Sequence, residues 1–292
     1  MITSQLIANG IIAGSMYALI ASGFSLIYSA NRFVHFAHGA VAAAGGYIAL
    51  YMFTTLGLPF VAAAGLAIMA TAVLGLLIYI GVYRVLEKRN SSKAILLVAS
   101  LGLLFFIENI LLLLFGPQTE ILTFLEVTKG KEIFGAIVTL FQMWIVIISL
   151  FLLVLLWLFV NKTKPGKLMR AVADNPELAK TTGINITKIQ YLGFAIGSGL
   201  AGIAGILIGM EQNLTPTMGT MLIVKGFTGA VIGGVTSLPG SVLGSYLLGL
   251  IENVGVWYFS SGYKDAIAFI LLLIFLLVRP QGILGINKGV RQ

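Results

Sequence analysis

Residues 163–185 read TKPGKLMRAVADNPELAKTTGIN, a polar and basic stretch between two hydrophobic runs that are each long enough to cross a bilayer. Charged residues make up only 10% of the whole chain, so a polar stretch of this length is unusual here. A loop that merely connects two helices needs about 2–8 residues. We therefore interpret this stretch as a structured surface outside the bilayer that docks a soluble partner.

Local signals divide the polar stretch into two short helices. Pro165 should end the preceding span, because proline disrupts a helix interior. After a first short helix, Asp174 or Asn175 is predicted to cap a second one, with Pro176 at its first position. Gly183 is predicted to end that second helix. Two short amphipathic helices at the membrane surface are elements that a partner could move.

The composition places the chain in a membrane. Its 292 residues are 59% hydrophobic, and the mean hydropathy is +1.03. Soluble domains carry about 25% charged residues, which cover their water-facing surface. Because each helical span uses about 20 residues, we predict an all-α, polytopic transmembrane helix bundle. It should form a single membrane-embedded domain over residues 1–292, with a polar loop at about 161–190.

Nine apolar runs are candidate spans. The second and seventh runs are the weakest, because they are short and rich in Gly and Ala, so eight spans is an alternative to nine. The runs are 5–29, 38–55, 58–83, 94–115, 137–160, 191–210, 220–237, 240–259 and 265–279.

Basic residues cluster in alternate gaps between the runs, and 14 of the 18 fall on one side. They are Arg32, Arg84, Lys88, Arg89, Lys93, Lys162, Lys164, Lys167, Arg170, Lys180, Lys188, Arg279, Lys288 and Arg291. The positive-inside rule makes this side cytoplasmic. The gap at 116–134 is acidic, with Glu120, Glu126 and Glu132 against Lys129 and Lys131. With nine spans, the N-terminus is external and the C-terminus cytoplasmic.

An internal symmetry is visible in the order of the runs. The first run leads to the polar break NRFVHFAHG at 31–39 and then to a small-residue span. The sixth run leads to the break EQNLTP at 211–216 and to another small-residue span. With nine spans the two pairs would enter the membrane from opposite sides, as inverted repeats with broken helices do. Chance similarity between Gly/Ala-rich helix pairs is the alternative.

Four segments together resemble the permeases of branched-chain amino acid importers. The polar stretch is similar to their cytoplasmic loop, which ends Ala-x-x-x-Gly-Ile-Asn, here from Ala179 to Asn185. The stretch 225–240, KGFTGAVIGGVTSLPG, and the tail 279–285, RPQGILG, are similar to theirs as well. The break at 31–39 resembles their Asn-Phe-Ala-x-Gly segment, except that His35 stands at the Asn position. The resemblance covers about residues 5–286.

The resemblance implies a permease subunit of an ATP-binding-cassette importer in the bacterial inner membrane. Its implied partners are ATPase subunits, a second permease subunit (a homo- or heterodimer) and an extracytoplasmic binding protein that delivers branched-chain or related amino acids. The polar stretch would couple to the ATPase. The residues that the resemblance assigns to coupling are Arg170, Asp174, Asn175, Glu177, Ala179, Gly183 and Asn185.

Other functions are open to the sequence. The chain lacks a Gly-x-x-x-x-Gly-Lys-Ser/Thr motif, so we expect ATP to bind elsewhere. We expect no enzyme activity and no cofactor, because no nucleophile–base pair is evident and the absence of cysteine excludes thiol chemistry. No nucleic-acid partner is expected, and membrane lipid surrounds the chain. An ion-coupled secondary transporter, or a permease for urea or short amides, is the alternative.

Polar side chains inside the runs are candidates for lining the pathway, because such groups usually face a bundle interior or cavity. A structural hydrogen bond to a neighbouring helix is the competing interpretation for each. Lys225 is expected near a span end, where its ammonium could reach the membrane surface. His35 and His38 lack a third ligand, so no metal is expected. The candidates are Asn31, His35, His38, Glu108, Lys225 and Glu252.

Overall fold

The computed structural model describes residues 2–122 and 130–285. Within these ranges the chain is almost entirely helical. Its α-helices are α1 Ile2–Asn31, α2 Ala37–Leu50, α3 Phe60–Ile78, α4 Arg84–Lys88, α5 Lys93–Phe115, α6 Leu140–Lys162, α7 Lys164–Asp174, α8 Pro176–Thr181, α9 Ile186–Glu211, α10 Met218–Gly233, α11 Leu238–Gly255 and α12 Lys264–Val278. Lys288, Arg291 and the middle of the predicted external gap, with Glu126 and Lys129, lie outside the described residues.

Three short helical segments of other types accompany the α-helices. A π-helical segment at Tyr51–Thr55 continues α2, and a second, π2, at Tyr79–Tyr83 joins α3 to α4. A 3₁₀ segment at Ser261–Tyr263 precedes α12. The π-helix is rare and usually marks a functional position inside a longer helix. No signal in the sequence predicted either π segment.

Each of the nine predicted runs contains a helix, which confirms the all-α class. Among the described residues, five helices are long and apolar enough to cross a membrane, namely α1, the continuous Phe60–Lys88, α5, α6 and α9. The pair α10 and α11 passes the same test together and is bent by 117° at a short break. A broken helix of this kind agrees with the predicted class of fold. The count of eight or nine spans stays a prediction.

The chain divides into two compact units, each built from separate segments. The first unit comprises Met1–Ser25, Val127–Trp157 and Val224–Gln292. The second comprises Leu26–Glu126 and Leu158–Ile223. That residues 1–292 act as one permease domain stays a prediction.

Glycine allows the helices of the second unit to touch at the backbone. A Cβ atom on Gly45 of α2 would lie 2.6 Å from the Cα atom of Gly202 in α9. Gly75 of α3 faces Ser198 of α9 equally closely, and Gly202 also faces Thr71 of α3. Small residues at such positions let helices in a membrane pack through their backbones. Helices α2, α3 and α9 therefore form a tight group.

The first unit uses the same device between α1 and α11. A Cβ atom on Gly10 would lie 2.9 Å from the Cα atom of Leu250, and one on Gly14 would lie 2.9 Å from the Cα atom of Tyr246. The four-residue spacing of the two glycines places both on one face of α1. The Ser15 and Tyr246 hydroxyls lie 2.9 Å apart beside this contact.

A small hairpin precedes α6 in the first unit. Strand β1, Lys131–Ile133, pairs antiparallel with β2, Ala136–Val138, through a turn with positive φ angles of 50° at Phe134 and 77° at Gly135. The Gln5 side chain of α1 accepts a hydrogen bond from Ile137 N at 2.8 Å and donates one to Ile137 O at 3.1 Å. The amide of Gln5 thereby pairs with β2 as a neighbouring strand would.

The two helix breaks occur at equivalent positions, as the predicted repeat requires. Helices α1 and α9 end at Asn31 and Glu211, which are 180 residues apart. Gly39 and Gly219, at the same separation, lie at the starts of α2 and α10, where Gly219 approaches Ala40 so closely that an added Cβ would lie 2.8 Å from its Cα. This agreement supports an internal repeat. Its inverted orientation stays a prediction.

Candidate functional site

The polar stretch 163–185 folds into α7 and α8, as the sequence predicted. Thr163 caps α7, because its Oγ1 atom accepts a hydrogen bond from Gly166 N at 3.2 Å, and Pro165 lies in the first turn. A Cβ atom on Gly166 would lie 2.6 Å from the Cα atom of Val160 in α6. The chain therefore turns sharply from α6 into α7, and only glycine fits at the turn.

Asparagine side chains start the next two helices. Asn175 Oδ1 accepts hydrogen bonds from Glu177 N and Leu178 N, each at 3.0 Å, and so caps α8. Asn185 Oδ1 accepts one from Lys188 N at 3.1 Å and caps α9. Between them Gly183 has a φ angle of +83°, a conformation that glycine adopts without strain. The capping role predicted for Asn175 and the terminating role predicted for Gly183 are confirmed.

The two short helices bury one face and expose the other. Met169, Val172 and Ala179 are buried. Two leucines point away from the chain, since Leu178 is 61% and Leu168 40% exposed. We call the exposed side of α7 and α8 the coupling face. Six of the seven residues assigned to coupling are exposed there or beside it: Arg170, Asp174, Asn175, Glu177, Gly183 and Asn185.

Ala179 differs from the other six. It is only 4% exposed, so it packs inside the chain and cannot touch a partner directly. The resemblance assigns Ala179 to coupling, but a larger side chain at this buried position would first disrupt the packing of α8. Leu168 and Leu178 were missed, although an apolar residue in a polar stretch is itself a signal.

The break between α1 and α2 holds three of the candidate pathway residues. Asn31 ends α1, and its Nδ2 atom donates to Ile27 O at 2.8 Å. His35 and His38 are fully buried, with ring centroids 6.1 Å apart. The His35 Nδ1 atom lies 2.8 Å from the Tyr83 hydroxyl at the end of π2. In the part of the chain that the structure describes, no group of three or more His, Asp or Glu side chains is arranged to hold a metal ion.

Serine and aromatic rings fix this break from two sides. Ser100 Oγ of α5 accepts a hydrogen bond from Phe36 N at 3.2 Å, and its one proton can be donated to Leu97 O at 2.8 Å or to Val34 O at 3.2 Å. Phe194 of α9 lies among four rings: its centroid is 5.1 Å from His35, 4.9 Å from Tyr79, 5.6 Å from Tyr83 and 6.5 Å from Phe33. We call these five residues the aromatic knot.

Glu108 has a structural partner. Its carboxylate, 4% exposed in α5, accepts hydrogen bonds from Thr220 N at 2.8 Å and Thr220 Oγ1 at 2.9 Å. Thr220 lies in the first turn of α10, where backbone N–H groups lack partners within the helix. A carboxylate there also interacts favourably with the helix dipole. The arrangement favours the structural interpretation of Glu108 as a cap for α10.

Lys225 and Glu252 form one cluster in the first unit. Lys225 Nζ lies 3.4 Å from Glu252 Oε2, 3.1 Å from Asp265 Oδ1 and 3.2 Å from the Tyr17 hydroxyl. Tyr17 in turn donates to Glu252 Oε2 at 3.0 Å. Lys225 was expected at a span end, but it lies in the middle of α10 with 13% of its side chain exposed. Its carboxylate partners replace the water that the ammonium would otherwise seek.

The structure thus brings the candidates together only in part. Lys225 and Glu252 form a direct ion pair. His35 and His38 lie next to each other at the α1–α2 break, with ring centroids 6.1 Å apart. Glu108 bonds to Thr220 instead of to another candidate. Tyr17, Asp265 and Thr220 were not predicted, because their contacts join helices that are distant in sequence.

The chain is similar to known proteins along most of its length. A family model described as the permease component of the branched-chain amino acid transport system matches residues 6–276. The chain belongs to this permease family. The permease is 34% identical to the high-affinity branched-chain amino acid transport system permease protein BraD of Pseudomonas aeruginosa, over 96% of this chain and 95% of BraD.

Two further relatives come from a bacterium and an archaeon. The permease is 33% identical to the high-affinity branched-chain amino acid transport permease LivH of Escherichia coli, over 96% of this chain and 95% of LivH. It is 31% identical to a probable branched-chain amino acid transport permease LivH of Methanocaldococcus jannaschii, over 97% of this chain and 93% of the relative. The permease is therefore a multi-pass membrane subunit of an ATP-binding-cassette importer, and not an enzyme.

Proposed function

We propose that this permease forms the translocation path for branched-chain or related amino acids, which an extracytoplasmic binding protein delivers. The observation that carries the proposal is the similarity to BraD and LivH along 96% of the chain. Those relatives are named for branched-chain amino acid transport. The similarity also covers 95% of each of these two relatives.

We further propose that partner ATPase subunits dock on the coupling face. The face combines exposed charge at Arg170 and Glu177 with exposed apolar surface at Leu168 and Leu178. Apolar anchors surrounded by polar residues are typical of protein–protein contacts. The capped ends of α7 and α8 support a preformed surface, so little ordering would be needed when the partner binds.

The orientation proposed for the permease puts the coupling face and the C-terminus in the cytoplasm of a bacterial cell, with the chain in the inner membrane. Excess Lys and Arg in the gaps before α5 and around α7 support it. A second permease subunit, identical or related, completes the pathway in this proposal, as the family resemblance implies.

For the pathway itself we propose the buried polar groups that retain unused hydrogen-bonding capacity. Asn31 Oδ1 and Glu252 Oε1 are buried without a hydrogen-bond partner among the described residues. Buried polar atoms are rarely left unpaired, so water or a polar solute is a suitable partner for each. Glu108 is better explained by its cap on α10.

Reconstitution tests the proposed function. The permease, its partner permease, the ATPases and the binding protein are placed in vesicles, and uptake of labelled leucine is measured with and without ATP. We expect ATP-dependent uptake that excess isoleucine and valine suppress. Uptake driven by a proton or sodium gradient without the ATPases would instead support an ion-coupled transporter. ATP-dependent uptake of urea without leucine uptake would support the amide alternative.

A further inference from the structure

The aromatic knot lies at the α1–α2 break, and its contacts with α4, α7 and α9 are all inside the second unit. The first contact is between α7 and α9. A Cβ atom on Gly193 of α9 would lie 3.6 Å from Met169 Cε of α7 and 3.6 Å from Ala30 Cβ near the end of α1. Gly193 thus has the buried anchor of α7 on one side and α1 on the other. Phe194, the centre of the knot, is the next residue.

The second contact joins the start of α9 to π2 and α4. The Tyr79 hydroxyl lies 2.7 Å from Gln190 Oε1 and 2.9 Å from Glu87 Oε2. Arg84 bonds to the Tyr191 hydroxyl, and its guanidinium carbon lies 5.5 Å from the centre of the Tyr191 ring. Because Asn185 caps α9 directly after α8, these tyrosine contacts fall within the first two turns that follow the coupling helices.

Tyr79 has two acceptors but one proton. A phenolic hydroxyl donates one hydrogen bond and can also accept one, so Tyr79 donates to either Glu87 or Gln190, and Gln190 Nε2 in turn donates to Glu87 Oε1 at 3.4 Å. The side chain belongs to a π-helical segment, a geometry that is frequent at functional sites. Tyr79 therefore links π2 to α4 and to the start of α9 through hydrogen bonds.

The third contact connects π2 to the break. Tyr83, four residues after Tyr79 in π2, is fully buried, and its hydroxyl lies 2.8 Å from His35 Nδ1. Its ring lies 4.6 Å from that of Phe33, which also belongs to the break. A change in the conformation of π2 would therefore displace Phe33 and His35, the break residues that set the direction of α2.

We propose that the aromatic knot transmits movement of α7 to the α1–α2 break, with Tyr79 and Tyr83 as the residues that position the break for energy coupling. Movement enters where α7 packs against α9 beside Met169 and Gly193, passes through Phe194 and π2, and reaches the break through the Tyr83–His35 hydrogen bond. Beyond the break, Gly39, Gly45 and the rest of α2 pack against the backbones of α9 and α10, so a change in direction there is not absorbed by flexible side chains. The proposal rests on docking of the ATPase at the coupling face.

The test compares Tyr83→Phe with Tyr246→Phe in the complete importer in vesicles. Each variant removes one hydroxyl and keeps its ring, and Tyr246 bonds to Ser15 in the first unit, outside the knot. Three quantities are measured: ATPase association by co-purification, ATP hydrolysis, and substrate molecules transported per ATP. We expect Tyr83→Phe to retain ATPase association and to lower transport per ATP by about 5-fold or more, as loss of a typical coupling energy would. Tyr246→Phe should change the ratio by less than about 2-fold.

A double-mutant cycle with His35→Phe tests the route. If the Tyr83–His35 bond carries the effect, Tyr83→Phe should cause no further loss in the His35→Phe background. Equal ratios for Tyr83→Phe and Tyr246→Phe, with association intact, would overturn the knot as a coupling element. Additive losses in the cycle would show that Tyr83 and His35 act separately and would overturn the route. Loss of ATPase association in Leu178→Ser reports on docking alone, so failure of the proposed docking is distinguishable from failure of the knot.

Discussion

Lys225 and Glu252 face each other across the 117° bend between α10 and α11, with 3.4 Å between Nζ and Oε2. The side chain of Glu252 is 1% exposed, so its charge has no access to bulk water. Tyr17 from α1 and Asp265 from α12 contact the same ammonium. One lysine therefore holds together four helices of the first unit.

Removal of this lysine should destabilise the permease strongly. In Lys225→Met the buried Glu252 carboxylate loses its counter-charge, and breaking a buried pair in this way costs about 3–5 kcal/mol. Thermal unfolding of the detergent-purified chain measures the effect. The double variant Lys225→Met/Glu252→Gln removes the orphaned charge and should recover part of the loss. Wild-type stability in Lys225→Met would show that the pair contributes nothing to the fold.

Substitutions at Leu178 and Ala179 should distinguish an effect on ATPase docking from an effect on the stability of the fold. Leu178→Ser changes an exposed side chain, so we expect a change in stability within about 0.5 kcal/mol and weaker ATPase association. Ala179→Glu places a carboxylate in a buried position, so we expect it to lower the stability of the fold itself and not only ATPase docking. Lys180→Gln, also exposed but polar, is the control for Leu178→Ser. The idea of an apolar anchor fails if Leu178→Ser binds the ATPase like the wild type.

Glycine substitutions should reveal the backbone contacts of α2. In Gly39→Ala the new methyl group would lie 2.7 Å from Ile223 Cβ and still closer to the Gly219 carbonyl, so we expect a loss of about 1–3 kcal/mol from overpacking. Gly65→Ala in α3 is the matched control, because nothing lies within 4 Å of its added Cβ. Alanine there should stabilise the helix by up to about 1 kcal/mol. Similar melting temperatures for both variants would contradict this account.

The absence of cysteine makes the orientation directly measurable. Lys180→Cys on the coupling face and Glu132→Cys on the hairpin are both exposed positions. An impermeant thiol reagent added to intact cells should label Glu132→Cys but not Lys180→Cys, and opening the membrane should allow both to react. Labelling of Lys180→Cys from outside would reverse the proposed topology.

Features that depend on neighbouring residues were predictable from the sequence. Asn175 caps α8 and Gly183 ends it, because capping and positive φ angles are decided within a few residues. The helical runs were predictable for the same reason, since a stretch of apolar residues must satisfy its backbone groups internally within a membrane.

Features that depend on tertiary contacts were not predictable. The position of Lys225 in its span was misjudged, because Glu252 and Asp265 reach it only after α11 and α12 have packed. Ala179 looks like its exposed neighbours in sequence, and only the packing of α8 shows that it is buried. The π2 segment at Tyr79–Tyr83 has no residue pattern that distinguishes it from the α-helix before it.

The contact between Gln5 and Ile137 has a consequence for self-association. A two-stranded sheet leaves N–H and C=O groups along its outer edge, and such edges recruit strands from other molecules and start aggregates. In β2 the outward backbone groups of Ile137 are already occupied by the amide of Gln5. The hairpin is thus shielded by a side chain of its own molecule, and Gln5→Leu should make the concentrated protein more prone to form β-rich oligomers through this edge.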